Sequence, residues 1–167
     1  MVIARELLDQ LIQHALADPA NEVCGVLSVE PGPPAQAVRS YRATNIHHSP
    51  LKFEIDSLEL LGLWQDIEAA GFEMGAVYHS HVRSEPYPSQ TDINFAANWP
   101  GVEWIIIGLG DGEPHVRSYL IEGSDVTEVA LDIAQQEPAP AERQPAPAQQ
   151  ESASAKRQPA PAQESAP

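Results

Sequence analysis

The sequence predicts an α/β domain of three layers, with helices covering a mixed, largely antiparallel sheet. Three observations carry this. Residues 3–17 and 56–70 place apolar side chains at helical spacing. Short apolar runs bounded by turn signals, residues 74–78 and 104–107 the clearest, read as buried strands. The two kinds of segment alternate along the chain, an order that packs helices against a sheet.

Taken in order, residues 3–17 carry Leu7, Leu8, Leu11, Ile12, Ala15 and Leu16, with Asp9, Gln10 and Gln13 between them. Pro19 pushes Asp18 out of the helical region and ends that helix. Residues 23–29 form a strand containing Cys24 and Gly25, and E-P-G-P-P at 30–34 is a turn. Residues 37–43 form a second strand, suited to hairpin pairing with the first, and residues 52–55 are short and extended. Asp56 or Ser57 caps a helix running to about residue 70, with apolar positions Leu58, Leu61, Trp64, Ile67 and Ala70, and Gly71 stops it. After the 74–78 strand, Ser89 is an N-cap for a helix over residues 90–98, ended before Pro100. The 104–107 strand, a Gly- and Asp-rich turn at 108–114, and strands over 116–121 and 126–133 complete the domain.

The chain has 167 residues and divides into a domain, 1–134, and a tail, 135–167. The tail repeats R-Q-P-A-P-A-Q at 143–149 and 157–163 and has almost no large apolar side chain. Ordering it would bury too little apolar surface to offset the entropy lost, which predicts a disordered, partly polyproline-II tether; a docking motif for a partner domain is the alternative. Of the 24 acidic and 9 basic side chains, 20 and 6 lie in residues 1–134. So acidic a domain is not a nucleic-acid binder, because phosphate contacts need clustered Lys and Arg. A single cysteine, Cys24, allows neither an internal disulfide nor a Cys-rich zinc site. Arg5 and Glu6 interrupt any apolar leader, and no run approaches the roughly 20 apolar residues of a membrane span. The expectation is a soluble, cytoplasmic protein with no membrane partner; nothing in the sequence sets an oligomeric state.

The chemistry gathers at Y-H-S-H-V-R-S-E-P-Y-P-S-Q-T-D, residues 78–92. Side chains two apart on a strand share a face, so His79 and His81 project together from the end of the 74–78 strand. Two histidines at a strand end are by themselves a common structural feature. If the following loop folds back, Asp92 makes a third ligand, and an N, N, O set with one open position is the pattern of a catalytic zinc site. Cys24 reads as a small buried hydrophobe rather than a nucleophile. His14, His47, His48 and His115 read as surface or loop histidines. Tyr87, stiffened by Pro86 and Pro88, is placed to pack over an extended peptide.

The spacing H-S-H, seven residues, Ser, two residues, Asp, with Glu22 upstream in N-E-V-C-G-V-L at 21–27, resembles the signature of the JAMM (MPN+) metalloproteases. Segment order from about residue 2 to 133 is similar to the small bacterial JAMM proteins, above all those that act on sulfur-carrier proteins. T-N-I-H-H-S-P at 44–50, E-P-Y-P-S-Q-T-D at 85–92 and R-S-Y at 117–119 add to it. The resemblance implies an α-β-α sandwich of cytidine-deaminase-like architecture. It implies one Zn²⁺ per chain on His79, His81 and Asp92, Glu22 as general base, and Ser89 as hydrogen-bond donor to the developing oxyanion. It also suggests that Asn45 and Ser49 line the substrate channel. The implied activity is peptidase or isopeptidase cleavage after the C-terminal Gly-Gly of a small ubiquitin-like sulfur-carrier protein, releasing cysteine. The alternatives are a broader deconjugase that frees target lysines and a non-catalytic MPN scaffold without zinc.

Overall fold

The structure, a computed structural model, describes residues 1–134 apart from residue 111; the tail lies outside the described residues. Its elements are β1 (Val2–Ala4), α1 (Arg5–Ala17), β2 (Cys24–Val29), β3 (Ala37–Ala43), α2 (Ser57–Ala69), β4 (Glu73–His81), α3 (Gln90–Ala96), β5 (Glu103–Gly108), β6 (His115–Glu122), β7 (Asp125–Val129) and β8 (Asp132–Ala134). The main sheet has the order β3-β2-β4-β5-β6-β7. Every neighbouring pair is antiparallel except β4 and β5, which are parallel. A parallel pair needs a crossover rather than a hairpin, and the crossover from β4 to β5 carries α3.

Strand alternation divides the core between the two faces of this sheet. On one face Leu27, Ala76, Tyr78, Ile105 and Ile107 pack with Leu7, Leu8, Leu11 and Ala15 of α1. On the other, Val26, Val77, Trp104, Ile106 and Tyr119 pack with Phe53, Ile67 of α2 and Ala96 of α3. The mixed sheet between helices on both faces is the predicted three-layer architecture. No helix among the described residues is long and apolar enough to cross a membrane.

Four local expectations are corrected. Residues 3–4 belong not to the first helix but to β1, which pairs in parallel with β8 as a separate two-stranded sheet. Residues 126–133 are correspondingly two strands in different sheets, parted at Ala130 and Leu131. β4 runs to His81 rather than stopping at Tyr78, because β5 continues alongside it and pairs Ser80 with Ile107 and His81 with Gly108. In α2 the residues spaced three apart do not form the buried stripe: Leu58 is 80% exposed, Leu61 44% and Trp64 39%. A strict three-residue step drifts about 60° per step around a helix of 3.6 residues per turn. The inward stripe is Leu60, Leu63 and Ile67. Asp56 is the α2 cap, accepting from the N–H groups of Leu58 and Glu59.

Gly25 shows why the Cys24-Gly25 pair admits no larger second residue. A Cβ there would lie 2.3 Å from the Tyr41 carbonyl oxygen and 2.5 Å from the Tyr78 ring. Tyr78 is fully buried, and its hydroxyl and the His14 Nδ1 are 2.9 Å apart, so it has nowhere to go. Gly25→Ala is expected to lose about 1–3 kcal/mol of stability, the usual cost of overpacking a close-packed core. Urea unfolding checks this; an unchanged midpoint would show that the sheet can open locally.

Candidate functional site

The last three residues of β4 divide their work between the two faces. Ser80, pointing away from the histidines, is fully buried; its Oγ accepts from the Val23 N–H (2.9 Å) and its own N–H donates to the Val23 carbonyl (3.0 Å). This double link fastens the end of β4 to the residue beside Glu22. The serine of H-S-H thus brings the upstream glutamate to the two histidines, a structural role the sequence reading did not give it.

On the other face, His79 Nε2 and His81 Nε2 are 3.1 Å apart. Asp92 Oδ1 lies 3.4 Å from His79 Nε2, and Asp92 Oδ2 lies 3.7 Å from His81 Nε2. Four ligands about 2.0–2.1 Å from a tetrahedral zinc stand about 3.3 Å from one another, which these three separations bracket. The residues are 0%, 5% and 2% exposed. Two imidazole nitrogens and a carboxylate, buried together and aimed at one point, suit a divalent cation. The donor set of two nitrogens and one oxygen is that of a metal centre.

Neighbouring groups set the orientation of these side chains. His81 Nδ1 lies 2.9 Å from the Glu85 carbonyl and 3.0 Å from Ser84 Oγ. Donation from Nδ1–H to that carbonyl leaves the Nε2 lone pair facing the other two ligands, as outer hydrogen bonds do for metal-binding histidines. The Tyr119 hydroxyl donates to the Pro86 carbonyl, holding the loop that carries Glu85. His79 lies under Phe53, their rings stacked with centroids 4.3 Å apart, and against the edge of Trp104. Its Nδ1 has no hydrogen-bond partner among the described residues. Asp92 comes from the first turn of α3 and forms a capping box with Ser89: the Ser89 N–H donates to Asp92 Oδ2 (2.6 Å), and the Asp92 N–H donates to Ser89 Oγ (3.3 Å). This contact leaves the Ser89 hydroxyl proton available to another acceptor.

Electrostatics follow from burial and pairing. Burial raises the Asp92 carboxyl, but the neighbouring His79 and His81 imidazoles and the hydrogen bond from Ser89 outweigh it and hold the group far below the ordinary carboxylate range. Burial pushes His79 below the ordinary imidazole range, against the pull of Asp92. His81 is also depressed by burial, yet the Asp92 carboxylate beside it and the hydrogen bond to the Glu85 carbonyl carry it above the ordinary imidazole value. Glu22, 6% exposed, is pushed up to about 7, chiefly by burial; the His81 charge opposes the rise and Asp92 adds to it. A carboxyl poised near neutrality is suited to accept and return a proton. A cation on the three ligands would draw it back down.

The remaining predicted site residues fall outside this cluster. Asn45 is 8% exposed, its amide is hydrogen-bonded to backbone groups, and it lines one cavity with Glu22, Val23 and Thr44. Ser49 Oγ accepts from the Leu51 N–H (3.2 Å). Tyr87 is 55% exposed and meets Tyr119 edge-to-face, so its ring is free to cover a chain lying on the loop. Cys24 is fully buried and its thiol is pushed up to about 12, chiefly by burial, which leaves it unreactive at neutral pH. The sequence reading missed Phe53 and Tyr119 as supports, for their contacts span long stretches of chain.

Residues 4–122 match the profile of the prokaryotic homologs of the JAB domain. The CysO-cysteine peptidase of Mycobacterium tuberculosis is 34% identical over 137 residues, 81% of this chain and 92% of that protein. The desampylase of Haloferax volcanii is 33% identical over 109 residues, 62% and 77% of the two chains. Among solved structures, a protein from Desulfitobacterium hafniense superposes with a TM-score of 0.71 at 28% identity, covering 81% of this chain and 93% of that one. With a profile match over most of the described residues and this identity over four-fifths of its length, the chain belongs to the prokaryotic JAB (JAMM/MPN) family.

Proposed function

We propose that the chain is a zinc-dependent peptidase that hydrolyses the bond after the C-terminal Gly-Gly of a small ubiquitin-like sulfur-carrier protein and releases cysteine, acting in the cytoplasm. The observation that carries the reading is the convergence of His79, His81 and Asp92 beside the buried Glu22 carboxyl, in a chain 34% identical to a CysO-cysteine peptidase. His79, His81 and Asp92 would hold the ion, one per chain. When bound, zinc supplies a water whose pKa is lowered towards about 7 and polarises the scissile carbonyl.

The chain's own residues supply the rest. Glu22 takes the proton of the attacking water at a carboxylate oxygen and delivers it to the departing amine nitrogen, which needs a carboxyl near the metal but not on it. Ser89 donates a hydrogen bond from its hydroxyl to the oxygen on which negative charge develops. Tyr87 covers the extended tail, and a Gly-Gly tail passes where bulkier residues would clash. The 33% identity to a desampylase supports a second reading, removal of a ubiquitin-like protein from target lysines.

The experiment is metal analysis of the purified full chain, followed by hydrolysis of two conjugates of one carrier protein, one ending in cysteine and one joined to a lysine side chain. The expected result is one zinc per chain and faster release of cysteine. Faster cleavage of the lysine conjugate would favour the second reading. A protein without stoichiometric metal that cleaves neither would be a scaffold.

A further inference from the structure

One side chain fixes both the backbone that carries Glu22 and the loop that covers His79. Asn45 uses all four hydrogen-bonding positions of its amide. Its Nδ2 donates to the carbonyl oxygens of Glu22 (2.8 Å) and Lys52 (3.1 Å). Its Oδ1 accepts from the N–H groups of His47 (3.1 Å) and Glu54 (3.3 Å). The loop so shaped returns a second bond to the same place, for the Glu22 N–H donates to the Ser49 carbonyl (2.9 Å). Both backbone polar groups of Glu22 are therefore held by residues 45–49. Further along, the same loop presents Phe53, whose ring stacks on His79.

We propose that Asn45 is a positioning residue, whose two amide N–H groups lock the Glu22 backbone to the loop bearing Phe53 and so fix the Glu22 carboxyl relative to His79. The proposal rests on the reading of Glu22 as general base. It accounts for the residue type, because the two carbonyls need two donors from one short side chain. Aspartate has the same shape and keeps the acceptor half of the contacts, to His47 and Glu54. It would lose the donor half and set a carboxylate against two carbonyl oxygens. An isosteric change therefore separates the bonds that hold Glu22 from those that only shape the loop.

The test compares the full-length wild type with Asn45→Asp, each in the Glu22 and the Glu22→Gln background, on the carrier–cysteine conjugate. Metal content and amide hydrogen exchange at Glu22 are measured alongside. Displacement of a reacting group by about 1 Å costs on the order of a hundredfold. Asn45→Asp is expected to lower kcat about 30- to 100-fold with KM and zinc content unchanged. It should also speed exchange of the Glu22 amide and add little to the loss already caused by Glu22→Gln. Unchanged Glu22 exchange, or wild-type kcat where Glu22→Gln itself is impaired, would overturn the proposal. So would an equal further loss in the Glu22→Gln background, which means that Asn45 acts elsewhere. Should the buried carboxylate prevent folding, the uncharged Asn45→Ala takes its place with the same expected results and the same overturning ones. If Glu22→Gln itself turns over normally, the general-base reading fails first. Altered Glu22 exchange in the Asn45 variants without altered turnover would identify that case.

Discussion

Glu22→Gln is expected to keep its metal and to lose about a hundredfold or more in turnover, the usual size of a general-base contribution. The amide preserves shape but cannot take the water's proton, and it lies outside the three-ligand cluster, so zinc content should not change. Zinc-loaded protein with near wild-type kcat would remove Glu22 from the reaction. The same substitution is expected to stabilise the metal-free protein. The folded-state carboxyl is raised to about 7 from an ordinary value of 4.5, chiefly by burial. Between those values the folded protein retains a proton that the unfolded chain has released, so the contribution of Glu22 is fully present below pH 4.5 and is lost as pH rises through 7. Chelator-treated Glu22→Gln should therefore melt higher than chelator-treated wild type at pH 8, and the gap should close towards pH 4.5. A gap that widens on acidification would contradict the buried placement of this carboxyl.

Asp92→Ala is expected to abolish stoichiometric zinc binding and, unlike Glu22→Gln, to weaken the fold. Two imidazoles rarely hold zinc by themselves. All three ligand residues are buried, and the Asp92 carboxylate is also the partner of the Ser89 N–H. Its loss removes half of a capping box and leaves His79 and His81 buried without an anion. The expected cost is about 1–3 kcal/mol, the range for breaking a cap and stranding buried polar groups. Metal analysis and denaturant unfolding check the two parts separately. Full zinc occupancy in the variant would mean that Asp92 is not a ligand.

Much of this was legible in the sequence where a local rule applied. Val77 and Ile106 lie in uninterrupted apolar runs, and Asp56 and Ser89 are recognisable caps. The spacing from His79 to Asp92 predicts one cluster, and the structure gathers these side chains within 4.8 Å. What escaped depended on partners distant in sequence. Val2–Ala4 continues the helical pattern of α1 yet pairs with Asp132–Ala134. The outer side of α2 carries Leu58 and Leu61, so composition pointed to the wrong stripe. Asn45 has a polar loop's surroundings in sequence, but its bonds to Glu22 and Lys52 turn it inward, and no periodicity reports such a clip.

The crossover between β4 and β5 carries a last consequence. Its helix, α3, has only seven residues, too few to persist without tertiary support, and Asp92, half of its capping box, is also the carboxylate proposed to hold the ion. An ion held by Asp92 would link occupancy to helix order, and the free energy that loads the site would also hold the crossover shut. Arg83 stands exposed at the start of that segment. Trypsin should then nick the metal-stripped protein after Arg83 sooner than the loaded one, so that the rate of one peptide-bond cleavage gauges how full the site is.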